Sequence, residues 1–247
     1  MPWRTSPAVR RLLDRRLPAL RGAGPRVEDA VATAADLATA GYRVAFDHVP
    51  PSDAADPAGE LRELIDRVHD AGLAARSELT VPVELLGAPA AEQLVVAAQE
   101  AEVGVALAGP PELVLPLAGR FPEAGVVVPA ARPEAEDHCR ALAGGRVRLV
   151  GGRGAAVDLA FVRCLNVLMA GSGHPGIGTT DPRLVAIAGE RAAWNDRSPD
   201  SWEYVMTWRV RTEQQQRLLA GGYAVRVALP SGAGAVRPVL ERLAGRR

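Results

Sequence analysis

Short runs of β-branched and small apolar residues alternate along the chain with longer stretches whose apolar positions recur every three to four residues. The short runs predict strands at Arg43–Asp47, within Ala75–Val83, and at Val103–Leu107, Gly125–Val128, Arg146–Val150, Gly176–Thr179, Trp202–Thr207 and Ala224–Leu229. The longer stretches predict helices between them, at Pro57–Ala71, Pro89–Glu100, Pro111–Gly119, Pro133–Leu142, Val157–Met169, a segment opened by Asp181-Pro182, and Arg211–Ala220. In the first of these, Leu61, Leu64, Ile65 and Val68 share one face, and Asp56-Pro57 supplies an N-cap followed by proline at the first helical position. Helical patterns at Pro7–Leu20 and Val27–Ala40 precede the first strand, and a last one runs over Val236–Leu243.

Eight strand–helix units predict the α/β class and, within it, a (β/α)8 TIM-type barrel with N-terminal helices. A doubly wound open sheet has the same periodicity. Closure is favoured by the even spacing of the units and by the lack of a G-x-G-x-x-G turn after the first strand. The 247 residues approach the roughly 250 of one such barrel. Nothing marks an internal boundary, so residues 1–247 read as one domain with 1–40 as its N-terminal helical region.

Composition narrows the chemistry. Hydrophobic residues make up 48% of the chain but aromatics only 4%, so Ala, Val and Leu must fill the core. The basic and acidic residues number 29 each and the formal net charge is +0, which gives no general pull toward nucleic acid or an anionic membrane. Every basic residue is arginine and lysine is absent. An arginine stays charged, so it serves as a clamp or ion-pair partner and not as a base or Schiff-base nucleophile. The two cysteines, Cys139 and Cys164, lie in helical patterns without metal-ligand spacing, which fits a reducing cytoplasm. With no signal-like N-terminus and no membrane-length apolar stretch, a cytoplasmic protein is expected.

In a barrel, chemistry lies at the C-terminal ends of the strands. That rule selects Asp47 and His48, Glu84, Arg132, Arg153, Thr179, Thr180 and Asp181, and Arg226. Glu203 differs in lying inside a strand. A carboxylate facing a barrel interior needs a partner, which Arg226 on the next strand can supply, and the bland reading is a buried ion pair. Asp181 before Pro182 reads as a helix cap, and His48 as a solvated loop histidine. His69, His138 and His174 fall in helical or loop positions, and no histidine–acid spacing suggests a metal. Gly151-Gly152-Arg153-Gly154 follows a strand and could cradle a phosphate with its backbone N–H groups. Gln214-Gln215-Gln216 reads as the polar face of a helix, and the alternating Trp202, Tyr204, Met206 and Trp208 as core.

At these residues the chain resembles the proline dehydrogenases, flavin-dependent barrels that oxidise proline to pyrroline-5-carboxylate. The similarity runs from about Val27 to the C-terminus. Phe161-Val162-Arg163-Cys164-Leu165 through Gly178-Thr179-Thr180-Asp181-Pro182-Arg183-Leu184 resembles the family's helix and "ATHD" stretch, and Trp202-Glu203-Tyr204-Val205-Met206 its "FEFQM" strand. Val225–Gly232 is similar to "VRVYVPYG", Phe46-Asp47-His48-Val49 to "LDHLG", and Arg148–Gly152 to "RLVKG". The resemblance implies FAD as cofactor, with Arg148, Thr179, Glu203 and Arg226 toward the flavin and Asp47 and Arg242 toward the substrate.

Departures fall where that chemistry lies. The family's strand-2 lysine aligns near Pro82–Glu84, its strand-5 lysine with Gly151, the "QAY" motif with Pro129-Ala130-Ala131, the strand-6 histidine with Thr180, and the strand-7 glutamine with Val205. In "RRLxE", whose two arginines grip the substrate carboxylate, Glu241 replaces one arginine and would repel that group. The expectation is therefore a proline dehydrogenase-like barrel that is catalytically impaired, or a pseudoenzyme with a binding role. The alternative is an active flavin oxidoreductase on a different amine or imino substrate. A small-molecule ligand, a protein partner or a second copy of the chain are the partners left open; nucleic acid and membrane are not expected.

Overall fold

A computed structural model describes residues 22–51 and 53–234. The predicted helices at Pro7–Leu20 and Val236–Leu243 lie outside the described residues, as do Glu241 and Arg242. The eight strands are β1 (Arg43–His48), β2 (Ser77–Pro82), β3 (Gly104–Ala108), β4 (Gly125–Pro129), β5 (Arg146–Val150), β6 (His174–Gly178), β7 (Glu203–Thr207) and β8 (Val225–Ser231). Each pairs in parallel with the next, and β8 returns to pair with β1 from Arg43↔Arg226 to His48↔Ser231. The sheet is a closed barrel, so the open-sheet alternative does not apply.

Helix α1 (Val27–Thr39) precedes β1. The others are α2 (Pro57–Asp70), α3 (Val83–Leu86), α4 (Ala88–Glu100), α5 (Pro111–Arg120), α6 (Ala135–Ala141), α7 (Ala155–Ala170), α8 (Pro182–Trp194) and α9 (Thr212–Ala220). The cap expected of Asp56 forms, its side chain accepting from Gly59 N at 2.8 Å, and Asp181 likewise accepts from Arg183 N at 2.8 Å. The four-residue α3 was not expected. Gly87, with φ 76°, separates it from α4, a backbone conformation that side chains resist. Helix α6 starts later than the pattern suggested because Arg132 N and Ala135 N close successive turns onto Pro129 O and Arg132 O. Strand β6 begins two residues earlier, which places His174 on a strand and not in a loop.

The period-two alternation of each strand sorts its residues between two environments. One set faces the helices and makes the main core. Leu61, Leu64, Ile65 and Val68 of α2 and Phe161, Leu165 and Leu168 of α7 are all at most 2% exposed against outward strand residues such as Phe46, Leu79, Leu107 and Leu149. Each such side chain contributes roughly 1.5–3 kcal/mol by leaving water. Trp202, Tyr204 and Met206 belong to this set, as expected, and Trp202 packs edge-on to Tyr204 at 4.6 Å between ring centroids. The other set faces the lumen and differs in kind, carrying arginines, carboxylates, glycine, alanine and proline. Among the described residues no helix is long and apolar enough to cross a membrane.

Candidate functional site

The lumen holds two ionic clusters at different heights. The lower one is built from residues at the N-terminal starts of their strands. Glu203, first in β7, accepts from Arg226, second in β8, with Nε–Oε1 at 2.6 Å and Nη2–Oε2 at 3.2 Å. Arg43, first in β1, donates to the same carboxylate at 3.0 Å, and Arg226 Nη1 donates to Val44 O at 3.0 Å. Burial alone would raise the Glu203 pKa, but Arg226 and Arg43 outweigh it and the carboxyl lies below its ordinary value.

The upper cluster centres on Arg148, the third residue of β5, which reaches across the lumen to the opposite wall. Its Nη1 donates to Asp47 Oδ1 at 3.1 Å and to Thr80 Oγ1 at 2.9 Å, and its Nη2 donates to Glu78 Oε1. Thr80 in turn donates to Asp47 Oδ1 at 2.6 Å. Burial would push Glu78 up, yet Arg148, Arg226 and Arg146 together hold its pKa at about 2. Burial opposes the charge on Arg148 as well, and Glu78 and Asp47 overcome it, so its pKa is raised.

Above Arg148, at the C-terminal ends of the strands, the lumen-facing residues are more accessible among the described residues. Asp47, Thr80, Pro82, Pro129, Val150 and Pro230 are all half-buried, whereas their helix-facing neighbours are mostly buried. This mouth has small apolar walls and a polar floor. Asp47 is the acid exposed there, with 33% of its side chain accessible; its Oδ1 is engaged and its Oδ2 has no partner among the described residues. The arrangement can hold a small organic molecule through one carboxylate oxygen and apolar contact. Among the described residues no group of three or more His, Cys, Asp or Glu is placed to hold a metal ion.

The sequence candidates separate accordingly. Asp47 and Arg148 are brought together, and Glu203 meets Arg226 as the strand pattern anticipated. Arg226, however, is not at a C-terminal strand end: it lies near the start of β8, because the strand runs from Val225 to Ser231. Thr179 follows β6 apart from both clusters, its hydroxyl accepting from Asp181 N at 3.2 Å. His48 is a correction. It ends β1, is 2% exposed on the helix-facing side, and bridges Ser231 Oγ and Glu60 Oε1 at 2.8 Å each. Glu84 lies exposed on α3, and Arg153 is exposed in the glycine-rich turn before α7.

Sequence reasoning missed Arg43, Glu78, Thr80 and Arg146. Their signal was in-phase polarity: Glu78 and Thr80, like Arg146 and Arg148, sit two apart within a strand and so point to one side. It also missed Gln215, which is 3% exposed and whose side-chain amide donates to Thr207 O at 2.9 Å and Val210 O at 2.8 Å. That side chain fixes the β7–α9 turn, in which Arg209 and Arg211 both adopt positive φ and Arg209 stacks over Trp208 at 4.1 Å.

The fold is a closed, parallel eight-stranded barrel with helices between its strands. No family model matches the sequence, and no curated protein matches it either. Solved structures do. Proline utilization A from Bdellovibrio bacteriovorus, inactivated by N-propargylglycine, is 14% identical with a TM-score of 0.75, over 96% of this chain and 33% of that one. A bifunctional proline utilization A is 20% identical with a TM-score of 0.72, over 97% and 32%. The protein from Corynebacterium freiburgense is 16% identical with a TM-score of 0.71, over 94% and 31%. This chain spans about a third of the length of those chains. At such identities the likeness is one of fold alone, a closed (β/α)8 barrel.

Proposed function

We propose that this chain is a proline dehydrogenase-like barrel that no longer oxidises proline and keeps its mouth as a binding site for a small organic molecule. One observation carries the reading: the two arginines carried over toward the flavin, Arg148 and Arg226, are bound to the barrel's own acids. Arg148 donates to Asp47, Thr80 and Glu78, and Arg226 to Glu203 and Val44 O. Replacing the internal acceptors with a ligand would leave buried carboxylates unpaired, at a cost of several kcal/mol. The described residues do not fit FAD for the same reason. Of the four side chains carried over toward the flavin, three are in these ion pairs and Thr179 braces its own turn.

The open Oδ2 of Asp47 favours a neutral or cationic ligand. The same carboxylate supports a second reading, an active flavin oxidoreductase on another amine or imino substrate, since the cofactor would carry the redox chemistry. The visible spectrum of the purified protein after reconstitution with FAD separates the two. The expected result is no retained flavin absorbance. Retained flavin that proline bleaches would overturn the proposal, and flavin bleached only by another amine would establish the second reading.

A further inference from the structure

The end of the lumen opposite the mouth carries a feature that ligand binding at Asp47 does not use. A pocket there is lined by Glu78, Gly125, Arg146, Arg148, His174 and Glu203. Arg148 is 7% exposed, yet its Nε–H is buried without a hydrogen-bond partner among the described residues. A guanidinium donor left unmet in the interior is costly, so the pocket calls for an acceptor. His174 Nδ1 is buried and unpartnered as well, while its Nε2 meets Asp200 O at 3.2 Å. Arg146 makes no hydrogen bond among the described residues; its nearest carboxylate, Glu78, is 3.9 Å away.

Charge gives the occupant its sign. Four guanidiniums, those of Arg43, Arg146, Arg148 and Arg226, share the lumen with three carboxylates, those of Asp47, Glu78 and Glu203. Asp47 lies at the far end and already receives Arg148. The surplus positive charge therefore falls in the lower half, where Arg146 and the Arg148 Nε–H are unsatisfied.

We propose that this pocket binds one small monovalent anion of carboxylate size between Arg146 and the Nε–H of Arg148. The anion accepts from both guanidiniums. His174 Nε2 donates to Asp200 O, which leaves Nδ1 of the neutral ring an acceptor, so a water donating to both Nδ1 and the anion completes the third contact. Glu78 of β2 and Glu203 of β7 also line the pocket and limit the site to a single charge, because each is already held by arginine and repels a second anion. The site shares Arg148 with the floor of the mouth but takes its Nε–H, which Asp47 and Thr80 do not use, and its test needs no ligand at the mouth.

Thermal melts of the full chain in sodium formate and sodium gluconate at matched ionic strength test this, gluconate being too bulky to enter. The expected result is a saturable rise in Tm with formate alone, since a ligand of the folded state stabilises it by mass action. Arg146→Gln, at a side chain 36% exposed, should raise the half-saturating formate concentration about tenfold or more. Gly125→Ala should abolish the response without loss of folding. Its methyl would stand 3.4 Å from Val105 O and 3.5 Å from Arg146 Cβ, ordinary contact distances, and occupy the pocket without changing charge. Equal melting in the two salts, or a formate response kept by both variants, overturns the proposal.

Discussion

Glu203 and Arg226, on adjacent strands β7 and β8, face each other inside the barrel and are joined by two hydrogen bonds of 2.6 and 3.2 Å. Both are at least 94% buried within their side chains, so neither can turn to water if the other is lost. Glu203→Gln should therefore lower the unfolding free energy by about 3–5 kcal/mol, the usual cost of stranding a buried charge. Replacing both, Glu203→Met with Arg226→Leu, should cost less than the single change, because no charge is stranded except Arg43, whose side chain is 37% exposed. Urea titration of the three proteins checks the order.

Acid should loosen the barrel through its carboxylates. Glu78 has its pKa lowered from 4.5 to about 2 by Arg148, Arg226 and Arg146, against burial. Its contribution is thus fully present above the unfolded-state value near 4.5 and is lost as pH falls through about 2, amounting to roughly 3 kcal/mol. Glu203 is shifted in the same direction and adds to the trend. His174, whose pKa burial lowers, also binds its proton more readily when unfolded and acts with the same sign. Denaturant midpoints measured between pH 6 and pH 2 should fall steadily, and Glu78→Gln should flatten the acid limb.

Gln215 ties the turn after β7 to the first helical turns of α9. Gln215→Leu preserves the bulk of the side chain but leaves the Thr207 and Val210 carbonyls without that donor. A loss of about 1–3 kcal/mol is expected, with faster proteolysis confined to residues 207–212. Limited digestion followed by mass spectrometry reads the position of the cut.

Arg211 caps α9 with φ 55° and ψ 43°, a left-handed conformation that costs a side-chain-bearing residue about 1–2 kcal/mol. Arg211→Gly removes that cost while adding freedom to the unfolded chain, and a net gain of up to about 1 kcal/mol is expected from a thermal melt. The same substitution at Arg209 should gain less, because Arg209 also stacks on Trp208.

How much of this was legible can be judged strand by strand. Strand β5 was placed to the residue, and the other seven to within one or two at their ends, because apolar runs bounded by glycine, proline and charge report local structure directly. Pairing of Glu203 with Arg226 followed from a buried acid beside a strand carrying a base. His48 was misread since its partners, Glu60 twelve residues on and Ser231 far along the chain, meet it only through the β1–β8 seam and the docking of α2.

The sequence by itself determined the eight-fold alternation, the capped amphipathic helices and an all-arginine basic complement, since periodicity and composition are local properties of the chain. Tertiary structure alone decided closure of the sheet, the height at which each charge sits in the lumen, and the partner each one takes. Those depend on register between strands up to 183 residues apart in sequence, where a single residue's slip would turn each polar side chain from the lumen into the apolar layer. The reach of Arg148 from β5 to Asp47, Thr80 and Glu78 is a product of that register, and it leaves the barrel's best-placed cation engaged with its own wall.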